Sequence, residues 1–267
     1  MKTLAIALVS MVIASAGCNG TTGSGLVTFS ARAGGPVDAA PNLAFDSGIG
    51  YHVTLTQAQL HVGAVYLNMT VPSSGGPDEP CILPGIYVGQ AFGPCDASGV
   101  CGVDLDLLSP ALHPFTASAD GTANPALEAE VWLTSGDINA TTDTTPVFVT
   151  AGTASNNGVD YPFAATVTIG QNRQLPTQNP AMPGANPICR QRIVSPIPVD
   201  ITLTNGGTLD LRVDPRGMFD EVDFATLTAG SDGTFAIPDV AGGIGGAFFK
   251  GVTAIEQYAF AYSAGAP

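Results

Sequence analysis

Several stretches of the chain alternate apolar and polar residues with a period of two, the pattern of strands that bury one face. Leu127, Ala129, Val131 and Leu133 fall on one face of such a strand, and Glu128, Glu130 and Trp132 on the other. Tyr161, Phe163, Ala165, Val167 and Ile169 alternate with Thr166 and Thr168, while Tyr258, Phe260 and Tyr262 line one face of a closing strand. In YHVTLTQAQLHVGAVYL the phase flips: Val53 and Leu55 share one parity, and Ala58, Leu60 and Val62 share the other. One extra residue resets the alternation in this way, so a bulge or tight bend is predicted near Gln57. Beyond the amino-terminal segment no ten-residue stretch carries a helical period.

A hairpin is predicted around Asn205-Gly206-Gly207. A three-residue loop pairs Leu203 with Leu209, Ile201 with Leu211 and Val199 with Val213, which leaves one dry face and one wet face. Gly207 would then supply the left-handed residue that follows a type I turn. Asp200 would stand opposite Arg212 on the wet face, a pair worth about 0.5 kcal/mol.

Composition sharpens the picture. The chain has 267 residues, with 33 Gly and 21 Pro but only 11% charged residues. That mixture suits many short strands joined by turns, and the hydrophobic content is too high for a disordered chain. No linker or charge run divides residues 26–267, which read as one all-β, sandwich-like domain with long Pro- and Gly-rich loops, notably at 72–84 and 176–187. The formal charge of −14 excludes nucleic acid as a partner, because phosphate affinity depends on clustered Lys and Arg.

The amino terminus carries its own message. Lys2 precedes an apolar run from Leu4 to Ala14, and the small residues Ser15, Ala16 and Gly17 lead to Cys18. This is the layout of a signal peptide over residues 1–17, a helical segment too short to span a bilayer. Ser15-Ala16-Gly17-Cys18 resembles the lipobox of bacterial lipoproteins. The resemblance implies cleavage before Cys18 and acylation of its thiol, so that the partner of this end is the lipid bilayer. Asn19 is not the aspartate associated with inner-membrane retention, which implies the outer membrane, with the domain facing the periplasm or the surface. Residues 18–25 then form the acylated cysteine and a flexible tether.

Four cysteines remain: Cys81, Cys95, Cys101 and Cys189. In an oxidising compartment an even number reads as two disulfides, with three connectivities open. Cys95 and Cys101 bracket the turn-rich PCDASGVC and form the natural local pair, leaving Cys81 for Cys189.

No GxSxG, P-loop, GxGxxG or HExxH motif occurs, and the three histidines (His52, His61, His113) lack an evident third ligand for a metal. The domain is therefore read as non-enzymatic, serving binding or envelope structure, with an envelope glycan or protein as partner and no cofactor. Two alternatives have named residues. Asp214, Asp220, Glu221 and Asp223 crowd one segment and supply the hard oxygen ligands that Ca²⁺ takes. Glu128 and Glu130 share a strand face beside Trp132, whose outward indole could stack on a sugar ring of a carbohydrate ligand or substrate.

Overall fold

The computed structural model describes residues 25–70, 87–95, 101–115, 119–133, 145–168 and 191–265. In chain order the strands are β1 (Leu26–Gly34), β2 (Leu43–Asp46), β3 (His52–Val62), β4 (Ala64–Asn68), β5 (Tyr87–Phe92), β6 (Val103–Asp106), β7 (His113–Pro114) and β8 (Ala119–Thr122). Then follow β9 (Pro125–Trp132), β10 (Pro146–Asn156), β11 (Val159–Thr168), β12 (Ile193–Thr202), β13 (Gly207–Val213), β14 (Phe235–Ile237), the helix α1 (Gly243–Val252) and β15 (Tyr258–Ser263).

Two mixed sheets pack together as an all-β, sandwich-like domain. The larger runs β12-β9-β4-β5-β8-β1-β13-β15, with β7 also on β1. The smaller runs β14-β11-β10-β3-β2, with β6 also on β3. Most neighbours are antiparallel, and the exceptions are β1 with β13 and β11 with β14. The larger sheet curls until its ends approach, so that Ile197 and Pro198 of β12 and Tyr258 to Phe260 of β15 line a common cleft. One continuous core lies between the sheets, from Val27 and Phe29 of β1 to Val213 and Tyr258.

Alternation locates the buried faces well. Phe163, Ala165 and Val167 of β11 are buried, as are Ala129 and Val131 of β9 and Leu133 just after it. In β3 the predicted phase flip is present: β10 pairs Ala151 with Gln57 but Gly152 with Leu55, leaving Thr56 as the extra residue. Val53 and Leu55 before the bulge, and Ala58, Leu60 and Val62 after it, all reach the core. Leu127 departs from its expected face and is 53% exposed, because Ala126 takes the inward position and the β9–β12 register slips beside it.

The hairpin at 205–207 is not formed. β12 pairs with β9, whereas β13 lies between β1 and β15, so Leu209 meets Tyr262 and Leu211 meets Phe260. Leu203 instead fills the space left by Gly89 of β5 and Gly121 of β8, where an added Cβ would come within 2.7 and 2.4 Å of its Cδ1. The 203–206 link crosses the curled sheet, held by the Asn205 Oδ1 that accepts from Thr28 N at 2.9 Å. The left-handed glycine is Gly206, not Gly207. Arg212 donates to the carbonyls of Gly35 and Pro110 rather than to Asp200. Both registers bury the same leucines, and only the long-range neighbours distinguish them.

A two-residue hairpin does occur elsewhere, at Asn157-Gly158 between β10 and β11. Both residues have positive φ, 52° and 77°, as a type I′ turn requires. The helix α1 likewise departs from the expectation of no further helix. Its sequence GIGGAFFKGV has poor intrinsic propensity, so tertiary packing holds it. Gly245, Phe248, Phe249 and Val252 form its buried stripe, and the Phe248 ring lies 5.1 Å from Phe219 and 6.0 Å from Phe148. Neither this helix nor any other among the described residues is long and apolar enough to cross a membrane.

Candidate functional site

The face of the larger sheet turned away from the main core is where side-chain chemistry gathers. β9 runs antiparallel to β4, setting Trp132 beside Ala64, Glu130 beside Tyr66 and Glu128 beside Asn68. On its other side β12 places Ile193 next to Trp132. Because strand residues two apart share a face, Glu128, Glu130 and Trp132 form one row, flanked by Ala64, Tyr66 and Asn68 and by Ile193 and Ser195.

This face is buried, contrary to the expected outward row. Glu128 is 0% exposed, Glu130 4%, Asn68 0% and Trp132 3%. Trp132, Ala64 and Tyr66 make a second small apolar cluster, with Tyr87 and Ile193 at its margin. Tyr66 is its hub: its ring centroid lies 4.9 Å from both Trp132 and Tyr87 and 5.7 Å from Phe92. The indole therefore packs on Tyr66 instead of presenting a flat face to solvent.

Neutral donors serve the carboxyl groups. Asn68 Nδ2 donates to Glu128 Oε2 at 2.5 Å, and Ser195 Oγ donates to Glu128 Oε1 at 2.9 Å. Trp132 Nε1 donates to Glu130 Oε2 at 2.9 Å. Burial pushes Glu128 up to about 7; its bond from Asn68 opposes the shift, and the neighbouring Glu130 charge adds to it. Burial also raises Glu130, against the pull of Trp132 and Asn68. The site can thus hold or release a proton near neutral pH, in an apolar setting. Asn68, Tyr66 and Ser195 were not singled out in the sequence. Asn68 has no motif around it, and only the β4–β9 register brings it to Glu128.

The four carboxylates considered for Ca²⁺ do not converge. Asp214 binds the guanidinium of Arg216 at 2.6–3.0 Å, and Arg216 also reaches Asp38 at 2.8 Å. Asp220 accepts from Gly48 N at 3.1 Å. Glu221 stands 3.9 Å from Lys250. Asp223 accepts from the Tyr51 hydroxyl at 2.5 Å and caps the short turn Phe224–Thr226 through Ala225 N. Phe219, Val222 and Phe224 bury themselves from the same segment, and turning them inward splays the acids apart. Among the described residues no three His, Cys, Asp or Glu side chains gather as a metal site would need.

Elsewhere, Cys95 and Cys101 are disulfide-bonded. Cys18, Cys81 and Cys189 lie outside the described residues. His61 bonds Asp104 at 2.8 Å and the Cys101 carbonyl at 3.1 Å, and His52 bonds Asp46 at 2.9 Å, so the two histidines have separate partners. A surface hollow of about 310 Å³ is lined by Asp220, Glu221, Lys250 and Glu256, and the cleft of about 460 Å³ between β12 and β15 is lined by Ile197 and Pro198, the latter the cross-strand neighbour of Glu128.

No protein-family model, no curated protein and no solved structure matches this chain.

Proposed function

We propose that this is an exported, lipid-anchored envelope protein whose β domain binds a partner or contributes to envelope structure without catalysing a reaction. The observation that carries this reading is the Cys95–Cys101 disulfide, which closes a six-residue separation in the chain. Such bonds persist in oxidising compartments and are rare in the cytosol. The signal-like segment before Cys18 and its resemblance to the lipobox agree with that compartment, and Asn19 favours the outer membrane. A net charge of −14 keeps the domain soluble and away from nucleic acid. The carbohydrate and Ca²⁺ alternatives gain no specific support from the geometry, since Trp132 is buried and the acids of residues 214–223 have separate partners.

Intact and peptide mass spectrometry of the protein taken from membranes, without reduction, tests the reading. The expected result is a diacylated or triacylated Cys18 at the mature amino terminus and an oxidised Cys95–Cys101 pair. An unmodified terminus produced by earlier cleavage would overturn the anchor. Free thiols at Cys95 and Cys101 would overturn the compartment.

A further inference from the structure

We infer that Glu128 and Glu130 form a proton-operated latch, which holds β9 against β4 and β12 while the pair keeps a proton and loosens the Tyr66–Trp132 face when both carboxyls ionise. This goes beyond the envelope reading and does not depend on it.

The geometry carries the argument. Two carboxyl groups leave the same face of one strand two residues apart, so their stems stand roughly 6–7 Å apart. The Asn68 amide donates to Glu128 at 2.5 Å and opposes the upward shift of Glu130 as well. The donors around them are the Asn68 amide, the Ser195 hydroxyl, the Trp132 indole and the Ile197 backbone N–H, all neutral. No lysine, arginine or histidine among the described residues forms an ion pair with either carboxyl.

Among the described residues, the other groups at this face are neutral or form no ion pair with the two carboxyls. From β4 comes Tyr66, a phenol raised by burial and then by the Glu130 charge, so it stays neutral. Tyr87 and Ile193 close the margin. Arg192, buried just before β12, forms no ion pair with either carboxyl. Neutral donors of this number suffice for one buried negative charge. Two adjacent charges, with no cation paired to them among the described residues, are disfavoured by desolvation and by their own repulsion. Asn68 Oδ1, buried with no donor in reach, adds to the case. A proton kept on the pair would give that oxygen the donor it lacks among the described residues.

The latch has a built-in reporter. Trp132 is the only tryptophan, and its indole N–H is bonded directly to Glu130. The experiment is acrylamide quenching of Trp132 in the full-length protein from about pH 5 to about pH 9, with far-UV circular dichroism recorded alongside. Quenching should rise at least threefold as pH increases through the neutral range, while the β signal stays constant. In Glu128→Gln, which keeps the shape without the charge, quenching should stay low throughout. Equal protection of Trp132 at both ends of the range, or an unchanged transition in Glu128→Gln, would overturn the latch. Should Glu128→Gln fail to fold, Ser195→Ala takes its place: loss of a donor to the carboxylate should move the transition to higher pH. An unmoved midpoint in Ser195→Ala would also overturn it.

Discussion

Asn68 of β4 donates its side-chain amide to Glu128 of β9 at 2.5 Å, with both residues wholly shielded from solvent. Each depends on the other. A buried carboxyl needs a donor, and a buried amide needs an acceptor, so the strand register that joins them is enforced by desolvation as much as by backbone bonds.

Asn68→Leu keeps the volume but removes the donor. It should cost about 1–3 kcal/mol, the penalty of leaving a buried polar group unserved. Urea unfolding at fixed pH measures it. The loss should also be larger at alkaline than at acidic pH, because the unserved group is worse when charged.

The carboxyl pair gives stability a pH dependence of defined sign. Glu128 titrates at about 7 in the folded protein, against 4.5 for an unperturbed glutamate. The folded state therefore binds this proton more tightly than the unfolded one. The resulting stability is fully present below about pH 4.5 and is lost as pH rises through about 7. At about 1.4 kcal/mol per pH unit the effect is on the order of 3 kcal/mol. Chemical denaturation at about pH 5.5 and about pH 8.5 should show the native state weaker at the higher value. Glu128→Gln should remove most of that difference, and a slope unchanged in the variant would assign the effect to other groups.

The turn at Asn157-Gly158 makes a backbone prediction. Gly158 has φ +77°, a conformation that costs a side-chain-bearing residue about 1–2 kcal/mol. Nothing lies within 4 Å of an added Cβ there, so the cost is purely conformational. Gly158→Ala should lower stability by that amount without changing the folded spectrum, as thermal unfolding would show.

Phe248 tests how α1 is held. Its ring is 1% exposed and packs on Phe219 and Phe148. Phe248→Ala should cost about 3–5 kcal/mol through lost transfer energy and the cavity left behind. Since α1 has little helical propensity of its own, hydrogen exchange should show 243–252 losing protection before the sheets do.

Much of the strand content was legible from alternation, because burying one face of a strand imposes a period of two whatever the partner. The β3 bulge was legible for the same reason: Val53 and Leu55 change parity against Ala58 and Leu60, and only an inserted residue reconciles them. The Asn-Gly dipeptide at 157–158 carries an equally local turn signal. The α1 stripe was masked by its glycines, which leave too few apolar side chains to display the period.

What the sequence by itself determined is therefore local: which residues face inward, where a strand bulges, and that Cys95 and Cys101 lie close enough along the chain to pair. Tertiary structure alone decided which strands are neighbours. Leu209 and Leu211 are content on either side of any apolar partner, so alternation could not choose between a hairpin to β12 and a place between β1 and β15. It also decided that the second face of β9 is buried. Glu128, Glu130 and Trp132 look like a solvated row in sequence, and only the arrival of Asn68, Tyr66 and Ser195 from distant strands makes them a dry, proton-sensitive cluster. Burial is a property of the whole assembly of strands, and a carboxyl's chemistry follows its surroundings.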